Sequence, residues 1–201
     1  MEKSEVKDFL KGVETGDSLT VGQRKNSQKL ALRDMAILSL MLGTGIRVSE
    51  CVGINLSDLD FKQNSVKILR KGNKESTVYF DETVAENIKN YIELERIQPD
   101  VGGDENALFI SRKRRRISVR AVELLVRKYA SIFPYKKITP HKLRSTFATE
   151  LYRESGDIYL TADSLGHSSP NVTAKRYADL GNQRRKMAPE YIRSFFQNEN
   201  E

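Results

Sequence analysis

The sequence predicts an α+β fold, a mostly helical domain that carries one small three-stranded antiparallel sheet. Apolar residues recur at the three- and four-residue spacing of amphipathic helices along most of the 201-residue chain. Short alternating or β-branched runs, which indicate strands, lie between about residues 59 and 80. A chain of this length can bury a substantial core, and one domain with at most a small appendage is expected.

The N-terminal quarter predicts three helices. Apolar residues at helical spacing predict a first helix that stops at Gly16, and the polar residues 17–28 predict a loop. A largely buried helix follows from about Lys29 to Leu42, and the Gly43–Gly45 turn ends it. A further helix, roughly Arg47 to Ile54, begins directly after this turn.

Three short runs then predict the strands of the sheet, namely Leu59 to Phe61, Ser65 to Leu69 and Ser76 to Phe80. The second and third runs are joined by a predicted hairpin turn over residues 70–74. This turn carries three cations, Arg70, Lys71 and Lys74.

Helices return after the sheet, each with a start or stop signal. Asp81 is placed to cap a helix that reaches about Glu95, and Ser118 is placed to cap the next one. Thr139-Pro140 starts another helix, because proline fits the first helical turn. Gly156 breaks that helix.

The last part of the chain predicts three more helices. A short helix ends near Leu165-Gly166, and Ser169-Pro170 repeats the start signal for a helix that holds Tyr177. Pro189 opens a terminal helix with a strongly apolar face. That face either folds back onto its own domain or docks on a neighbour.

Composition favours an anionic partner and an intracellular location. Lys plus Arg exceeds Asp plus Glu by 34 to 27, which gives a net charge of +7 and suits a polyanion. Cys51 is the single cysteine, so an intrachain disulfide is impossible and its expected role is that of a small apolar residue. The start shows no signal peptide, and the apolar run from Ala36 to Leu42 is too short to span a bilayer. We expect a cytoplasmic protein without a membrane partner.

Two arginines, two histidines and a tyrosine form a candidate catalytic set, Arg47, His141, Arg144, His167 and Tyr177. Guanidinium groups can stabilise charge on phosphate oxygens, and a phenol can attack phosphorus. Only about one phenol in a thousand is ionised at pH 7, so the tyrosine needs a base and nearby cations. His141 and Arg144 lie three residues apart in the first turn of a predicted helix, a place that favours an anion.

Each member of this set also has a structural explanation, which is the commoner one for any single residue. Arg47 could be a solvated residue at a helix start, with Glu50 one turn on as a surface partner rather than as the group that orients it. His167 could cap a helix C-terminus, and Tyr177 could be a half-buried packing residue. The joint order, spacing and helix placement favour the catalytic explanation.

Further cations are candidates for contacts with phosphate. Lys71 is either a solvated lysine in a turn or a mobile acid that reaches a leaving oxygen. The other candidates are basic residues of the hairpin, of the run at 112–116 and of the helix that follows it. They are Arg70, Lys74, Arg112, Lys113, Arg114, Arg115, Arg116 and Arg120.

Four segments together resemble the tyrosine recombinases, which include phage integrases, Xer-type resolvases and the integrases of conjugative transposons. The segments are Gly43-Thr44-Gly45-Ile46-Arg47-Val48-Ser49-Glu50, His141-Lys142-Leu143-Arg144, Leu165-Gly166-His167 and Tyr177. The resemblance covers about residues 1 to 196 and implies a catalytic set of Arg47, Lys71, His141, Arg144, His167 and Tyr177. It implies cleavage of DNA through a 3′-phosphotyrosyl enzyme in a protein of bacterial or phage origin. No metal and no cofactor are expected.

The resemblance also implies an assembly and a domain plan. Residues 1–186 would form the catalytic domain, and residues 187–201 would form a helix that packs on a neighbouring protomer. Four protomers would assemble on two sites in double-stranded DNA. The N-terminal helical domain that such enzymes carry has no counterpart in this sequence, so the core-binding domain is expected to be absent.

Two alternative functions are open, one with the same chemistry and one without cleavage. A type IB topoisomerase would nick and reseal one strand with the same chemistry. A DNA-binding accessory protein would never cleave, and such a protein is expected to lack the tyrosine or one of the arginines.

Overall fold

The computed structural model describes residues 1–17, 19–96 and 105–166, and this part confirms the predicted α+β fold. A three-stranded antiparallel sheet in the order β1-β2-β3 accompanies eight α-helices in these ranges. The strands are β1 Leu59–Asp60, β2 Ser65–Arg70 and β3 Lys74–Tyr79. The helices are α1 Lys3–Thr15, α2 Val21–Ser27, α3 Ala31–Thr44, α4 Val48–Gly53, α5 Glu82–Leu94, α6 Val119–Tyr129, α7 Pro140–Ser155 and α8 Ile158–Ser164.

The chain divides into two compact units, Met1–Phe147 and Ala148–Glu201. Helix α3 is the centre of the first unit, and ten of its 14 residues are buried. It packs against α5 and α1, while α4 packs against β2 and α6. Because α3 is apolar on nearly all sides, its position is determined by neighbours around its whole circumference.

The sheet places alternate residues in the core, as an antiparallel sheet with one solvated face does. Val66, Ile68 and Val78 are buried. The predicted five-residue turn is shorter in the structure, because Arg70 and Lys74 pair as the last residues of their strands. Residues 71–73 form the turn, with φ angles of +83° at Gly72 and +59° at Asn73.

The predicted loop at residues 17–28 is wrong, because α2 occupies most of it. The hydroxyl of Thr20 accepts the Gln23 N–H at 3.4 Å, and the Gln23 side chain accepts the Thr20 N–H at 3.1 Å. This reciprocal pair is a capping box, and its Thr-x-x-Gln pattern was visible in the sequence. The polar composition of the segment had favoured a loop over a short helix.

The predicted starts of the later helices are confirmed. Asp81 accepts the Val84 N–H at 2.9 Å, and Ser118 accepts the Ala121 N–H at 3.2 Å. Gly156 ends α7 in the left-handed region, with φ of +71°. The predicted helices that hold Tyr177 and follow Pro189 lie outside the described residues.

The second unit begins within α7 and includes α8. Asp157 caps α8 by accepting the backbone N–H groups of Tyr159 at 2.7 Å and Leu160 at 3.0 Å. Thr161 and Ala162 are buried. Across the described ranges, no helix is both long enough and apolar enough to cross a membrane.

Cys51 has the packing role that was expected of it. Its thiol is fully buried in α4, and burial raises its pKa to about 12. The thiol is therefore protonated at neutral pH and unsuited to act as a nucleophile.

A buried ionic cluster ties α2, α3 and α6 together. One oxygen of Asp34, which has no exposed surface, accepts from Arg33 Nη2 at 2.7 Å and from Arg33 Nε at 3.2 Å. The other oxygen accepts from Lys128 Nζ at 2.8 Å and from the Tyr129 hydroxyl at 3.0 Å. Lys128 also donates to Ser27 at 3.0 Å. Burial raises the pKa of Tyr129, so this hydroxyl stays a donor.

We predict that Asp34→Asn lowers the free energy of unfolding by about 3–5 kcal/mol, because two cations would lose their buried counter-charge. Urea denaturation followed by circular dichroism measures this change. Asp8→Asn, at an exposed position of α1, is the matched control and should change stability by less than about 0.5 kcal/mol. Equal effects of the two substitutions would show that the cluster contributes nothing.

Candidate active site

The candidate site is built around the turn that ends α3. Gly45 adopts φ of +65°, and its N–H donates to the Met41 carbonyl at 3.1 Å. A residue with a side chain is strained in this left-handed conformation, so glycine is required here. The buried Thr44 hydroxyl donates to the Leu40 carbonyl at 2.6 Å and accepts the Ile46 N–H at 3.4 Å. Hydrogen bonds between neighbouring residues therefore stabilise the turn independently of its contacts with other elements.

Arg47 follows this turn as the residue that precedes α4. The Glu50 carboxylate accepts the backbone N–H of Arg47 at 2.7 Å with one oxygen and Arg47 Nη1 at 2.7 Å with the other. The Glu50 side chain is 3% exposed and the Arg47 side chain 37% exposed. Glu50 therefore satisfies a donor at the helix start and orients a guanidinium group that still reaches solvent.

Arg144 approaches the same turn from α7. Its Nη1 donates to the Gly45 carbonyl at 2.6 Å, and the residue is 7% exposed. Arg47 lies two residues beyond Gly45, so its Cα is within about 7 Å of the Gly45 Cα. Two arginines that are far apart in the sequence are thus brought to one turn. Such an arrangement can present two cations to one anionic group.

His141 lies in the first turn of α7 and is exposed, whereas Arg144 is buried three residues later. The Thr139 hydroxyl accepts the Lys142 N–H at 3.2 Å, and the Thr139 carbonyl accepts the Leu143 N–H at 3.1 Å. One of the first-turn amides expected to attract an anion is therefore satisfied within the chain by the Thr139 side chain. The same turn also carries the exposed cation Lys142.

Lys71 lies at the exposed tip of the β2–β3 hairpin. His167 and Tyr177 lie outside the described residues, so their positions and roles stay predictions.

The basic run forms a tight exposed loop. Ile110 pairs with Arg116 as an isolated antiparallel bridge, and the Ser111 N–H donates to the Arg115 carbonyl at 2.7 Å. The four residues at 112–115 are exposed, which is the arrangement that a phosphate-contacting loop needs. They are Arg112, Lys113, Arg114 and Arg115.

Arg116 differs from its neighbours because its guanidinium group binds within the protein. It donates to the carbonyls of Val52 at 3.1 Å and Ile54 at 2.9 Å, and to the Asn55 side chain at 2.6 Å. These bonds secure the C-terminal end of α4, the helix that Arg47 precedes. Nothing in the basic run distinguishes Arg116 by sequence, so this structural role could not be predicted.

The remaining cations differ in exposure. Arg120 is exposed and pairs with Glu123 at 3.2 Å, while Lys74 is exposed and Arg70 is half-buried at the last pair of the hairpin. Within residues 1–17, 19–96 and 105–166, no three His, Cys, Asp or Glu side chains group as ligands of a metal ion would.

Comparison with known proteins identifies relatives over most of the chain. The sequence profile of the phage integrase family matches residues 1–184. Tyrosine recombinase XerC of Thermodesulfovibrio yellowstonii is 43% identical over 145 residues, which are 70% of this chain and 48% of the relative. Tyrosine recombinase XerS of Lactococcus lactis subsp. cremoris is 34% identical over 189 residues, which are 92% of this chain and 52% of the relative. The chain spans about half the length of these curated relatives.

A solved structure shares the fold. The XerH site-specific recombinase, bound to a palindromic difH substrate in a post-cleavage complex, superposes with a TM-score of 0.75. The match covers 95% of this chain and 52% of that chain at 20% identity. At this identity the likeness supports the fold alone.

We predict that Glu50→Ala lowers the free energy of unfolding by about 1–2 kcal/mol, because a backbone donor and a guanidinium group lose one shared acceptor. Glu123→Ala is the matched control, since Glu123 also lies three residues after its arginine but is 42% exposed. The control substitution should lower the free energy of unfolding by less than about 1 kcal/mol. Chemical denaturation of both variants tests the difference, and a larger loss in the control would contradict the prediction.

Proposed function

This chain belongs to the phage integrase family, and on that premise we propose that it forms the catalytic part of a site-specific DNA recombinase. In this proposal the enzyme cleaves and rejoins double-stranded DNA through a 3′-phosphotyrosyl intermediate. The observation that carries the proposal is the meeting of Arg144 and Arg47 at the Gly45 turn. An anionic phosphodiester is the chemical group that two arginines held at one turn suit best.

In the cleavage step, the phenolic oxygen of Tyr177 attacks the phosphorus of the scissile phosphodiester. A bond forms between phosphorus and the tyrosine oxygen, and the bond between phosphorus and the 5′-oxygen breaks. His141 takes the phenolic proton, and Lys71 gives a proton to the departing 5′-oxygen. A 5′-hydroxyl from another strand then attacks the phosphotyrosine, which releases Tyr177. The bond energy is conserved in the phosphotyrosyl link, so no nucleotide hydrolysis is required.

The arginines stabilise the charge that develops on the non-bridging oxygens during both steps, and His167 donates a hydrogen bond to the same phosphate. Their support is arranged before DNA binds. Glu50 holds Arg47 with one bond to its guanidinium group, and the Gly45 carbonyl holds Arg144. The Arg47 guanidinium group has five N–H donors, so its bond to Glu50 leaves it able to donate to phosphate as well.

Double-stranded DNA is the proposed partner because the chain is basic and exposes cations that suit phosphates. The net charge of +7 supports encounter with a polyanion, and the loop at 112–115 presents four cations. Lys71 and Lys74 at the hairpin, together with Arg120 on α6, extend the proposed contact. Arg116 is left out of the proposed DNA contacts because its guanidinium group secures α4.

The proposed assembly is a homotetramer on two DNA sites. Residues 1–186 would be the catalytic domain, and the helix at 187–201 would pack on a neighbouring protomer. The family resemblance supports this plan, and so does the apolar face of that terminal segment, which has Tyr191, Ile192, Phe195 and Phe196 at helical spacing.

We predict a covalent protein–DNA adduct with nicked duplexes, in which cleavage releases a short 5′-hydroxyl fragment that diffuses away and prevents religation. A nicked library with a randomised core supplies the target, and denaturing gels with sequencing of the trapped DNA identify the adduct and its site. Arg47→Lys and Arg144→Lys should each reduce the rate of adduct formation by about 100-fold or more, because lysine keeps the charge but loses the planar fork.

Tyr177→Phe should abolish the adduct, whereas Tyr135→Phe should not change it, because Tyr135 is a fully exposed tyrosine that the proposal does not use. If the wild-type protein gave no more adduct than Tyr177→Phe, the proposed chemistry would be wrong. An adduct that persisted in Tyr177→Phe would assign the nucleophile to another residue.

We also predict that neighbouring arginines of the basic run have separable effects. Arg115→Gln should weaken DNA binding and reduce the slope of log K against log salt by about 0.9, the value for one lost phosphate contact. Arg116→Gln should instead lower the free energy of unfolding by about 1–3 kcal/mol, because buried carbonyls lose their donor. Fluorescence anisotropy at several salt concentrations and urea denaturation separate the two outcomes. A stable Arg116→Gln protein with a reduced salt slope would reverse the assignment.

A further inference from the structure

The ring of Phe147 occupies the space in which a side chain at position 45 would begin. A Cβ atom built on Gly45 would lie 2.3 Å from Cδ1 of Phe147, and 3.0 Å from both Cε1 and Cγ. These distances are shorter than van der Waals contact, so the ring edge lies directly against the Gly45 backbone. Phe147 follows Arg144 by three residues on α7, and the two side chains therefore share one side of that helix.

Helix α7 thus contacts the same residue twice. Arg144 binds the Gly45 carbonyl, and Phe147 packs against the Gly45 α-carbon. A hydrogen bond fixes the distance between donor and acceptor more tightly than it fixes the tilt of the peptide. The ring contact removes that freedom, because it limits how far the turn can approach α7 or rotate on it.

The position of this turn also determines where Arg47 lies. Arg47 is two residues beyond Gly45, and Glu50 binds both its backbone N–H and its guanidinium group. We propose that Phe147 is a positioning residue for the recombinase reaction, which sets the Gly45 turn against α7 so that Arg47 and Arg144 meet one phosphate. This inference rests on the proposed function and adds a residue that does not itself contact DNA.

Phe147 is suited to this role rather than to general core packing. It is half-buried, whereas Leu143, one turn earlier on α7, is a fully buried member of the main hydrophobic cluster. Removal of the ring would therefore leave the core in place and loosen the turn. Because no charge is lost, DNA affinity and its salt dependence should be preserved.

The first test compares Phe147→Ala with Phe61→Ala in the full chain. The substrate is a DNA duplex that carries the target site identified with the nicked library. Phe61 is also half-buried and packs against the main hydrophobic cluster, so it is a matched control for the loss of a ring. Phe147→Ala should form adduct about 10- to 100-fold more slowly in single turnover, with a Kd for uncleaved DNA within about 2-fold of wild type. Phe61→Ala should keep the wild-type rate within about 3-fold.

The second test uses a methylphosphonate at the scissile position, in which a methyl group replaces one charged oxygen. Misplacement of the arginines matters less when the charge that they stabilise is removed. The ratio of the wild-type rate of adduct formation to the Phe147→Ala rate should therefore be about 10-fold smaller on this substrate. A variant that is merely less stable would show the same deficit on both substrates.

Single variants could also lose activity by misfolding. A double-mutant cycle separates this effect from a direct interaction between positions 45 and 147. Gly45→Ala places a methyl group against the ring, and Phe147→Ala makes room for it. The double variant should therefore form adduct faster than Gly45→Ala alone, although the left-handed backbone keeps it slower than wild type. Additive losses, or a Phe147→Ala rate equal to wild type, would overturn this inference. Absence of any adduct with the wild-type protein would instead refute the proposed function on which it rests.

Discussion

The hydrogen bond from Arg144 to the Gly45 carbonyl joins the two halves of the candidate site. Gly45 can make this contact because it ends the buried helix α3 in a left-handed conformation that only glycine adopts without strain. The turn then leads directly into α4, whose first turn is stabilised by Glu50. The most deeply buried helix of the unit therefore positions both arginines, and a rigid core supports a site at its surface.

Among the described residues, the buried carboxylates of Asp34 and Glu50 each hold cations, with opposite consequences. Asp34 has no exposed surface, and its partners Arg33 and Lys128 are also largely withdrawn from solvent. Both Asp34 oxygens accept hydrogen bonds from partners within the protein. Glu50 is equally buried, but Arg47 is 37% exposed, so the same kind of pair leaves one cation facing outward. Exposure of the cation, and not the presence of the pair, separates a structural cluster from a candidate site.

Helix α4 is short, with six residues, and too short to be stable by itself. Its N-terminal end is stabilised by Glu50, and its C-terminal end by the guanidinium group of Arg116, which binds two of the last carbonyls. Tertiary bonds at both ends thus replace the intrinsic stability that the helix lacks. Since Arg47 immediately precedes this helix, its orientation depends on contacts from a distant part of the chain.

Sequence alone determined the α+β fold and most helix boundaries, because caps such as Asp81 and Ser118 act over three or four residues. It also identified the motifs that relate the chain to the phage integrase family. The prediction from sequence was wrong at α2. The polar composition of this segment indicated a loop, although its capping box is a local signal for a helix. Only the tertiary structure decided that Arg144 is buried while His141 is exposed, and that Arg116 binds inward. These outcomes depend on carbonyls and side chains that are distant in the sequence, and no local pattern encodes such contacts.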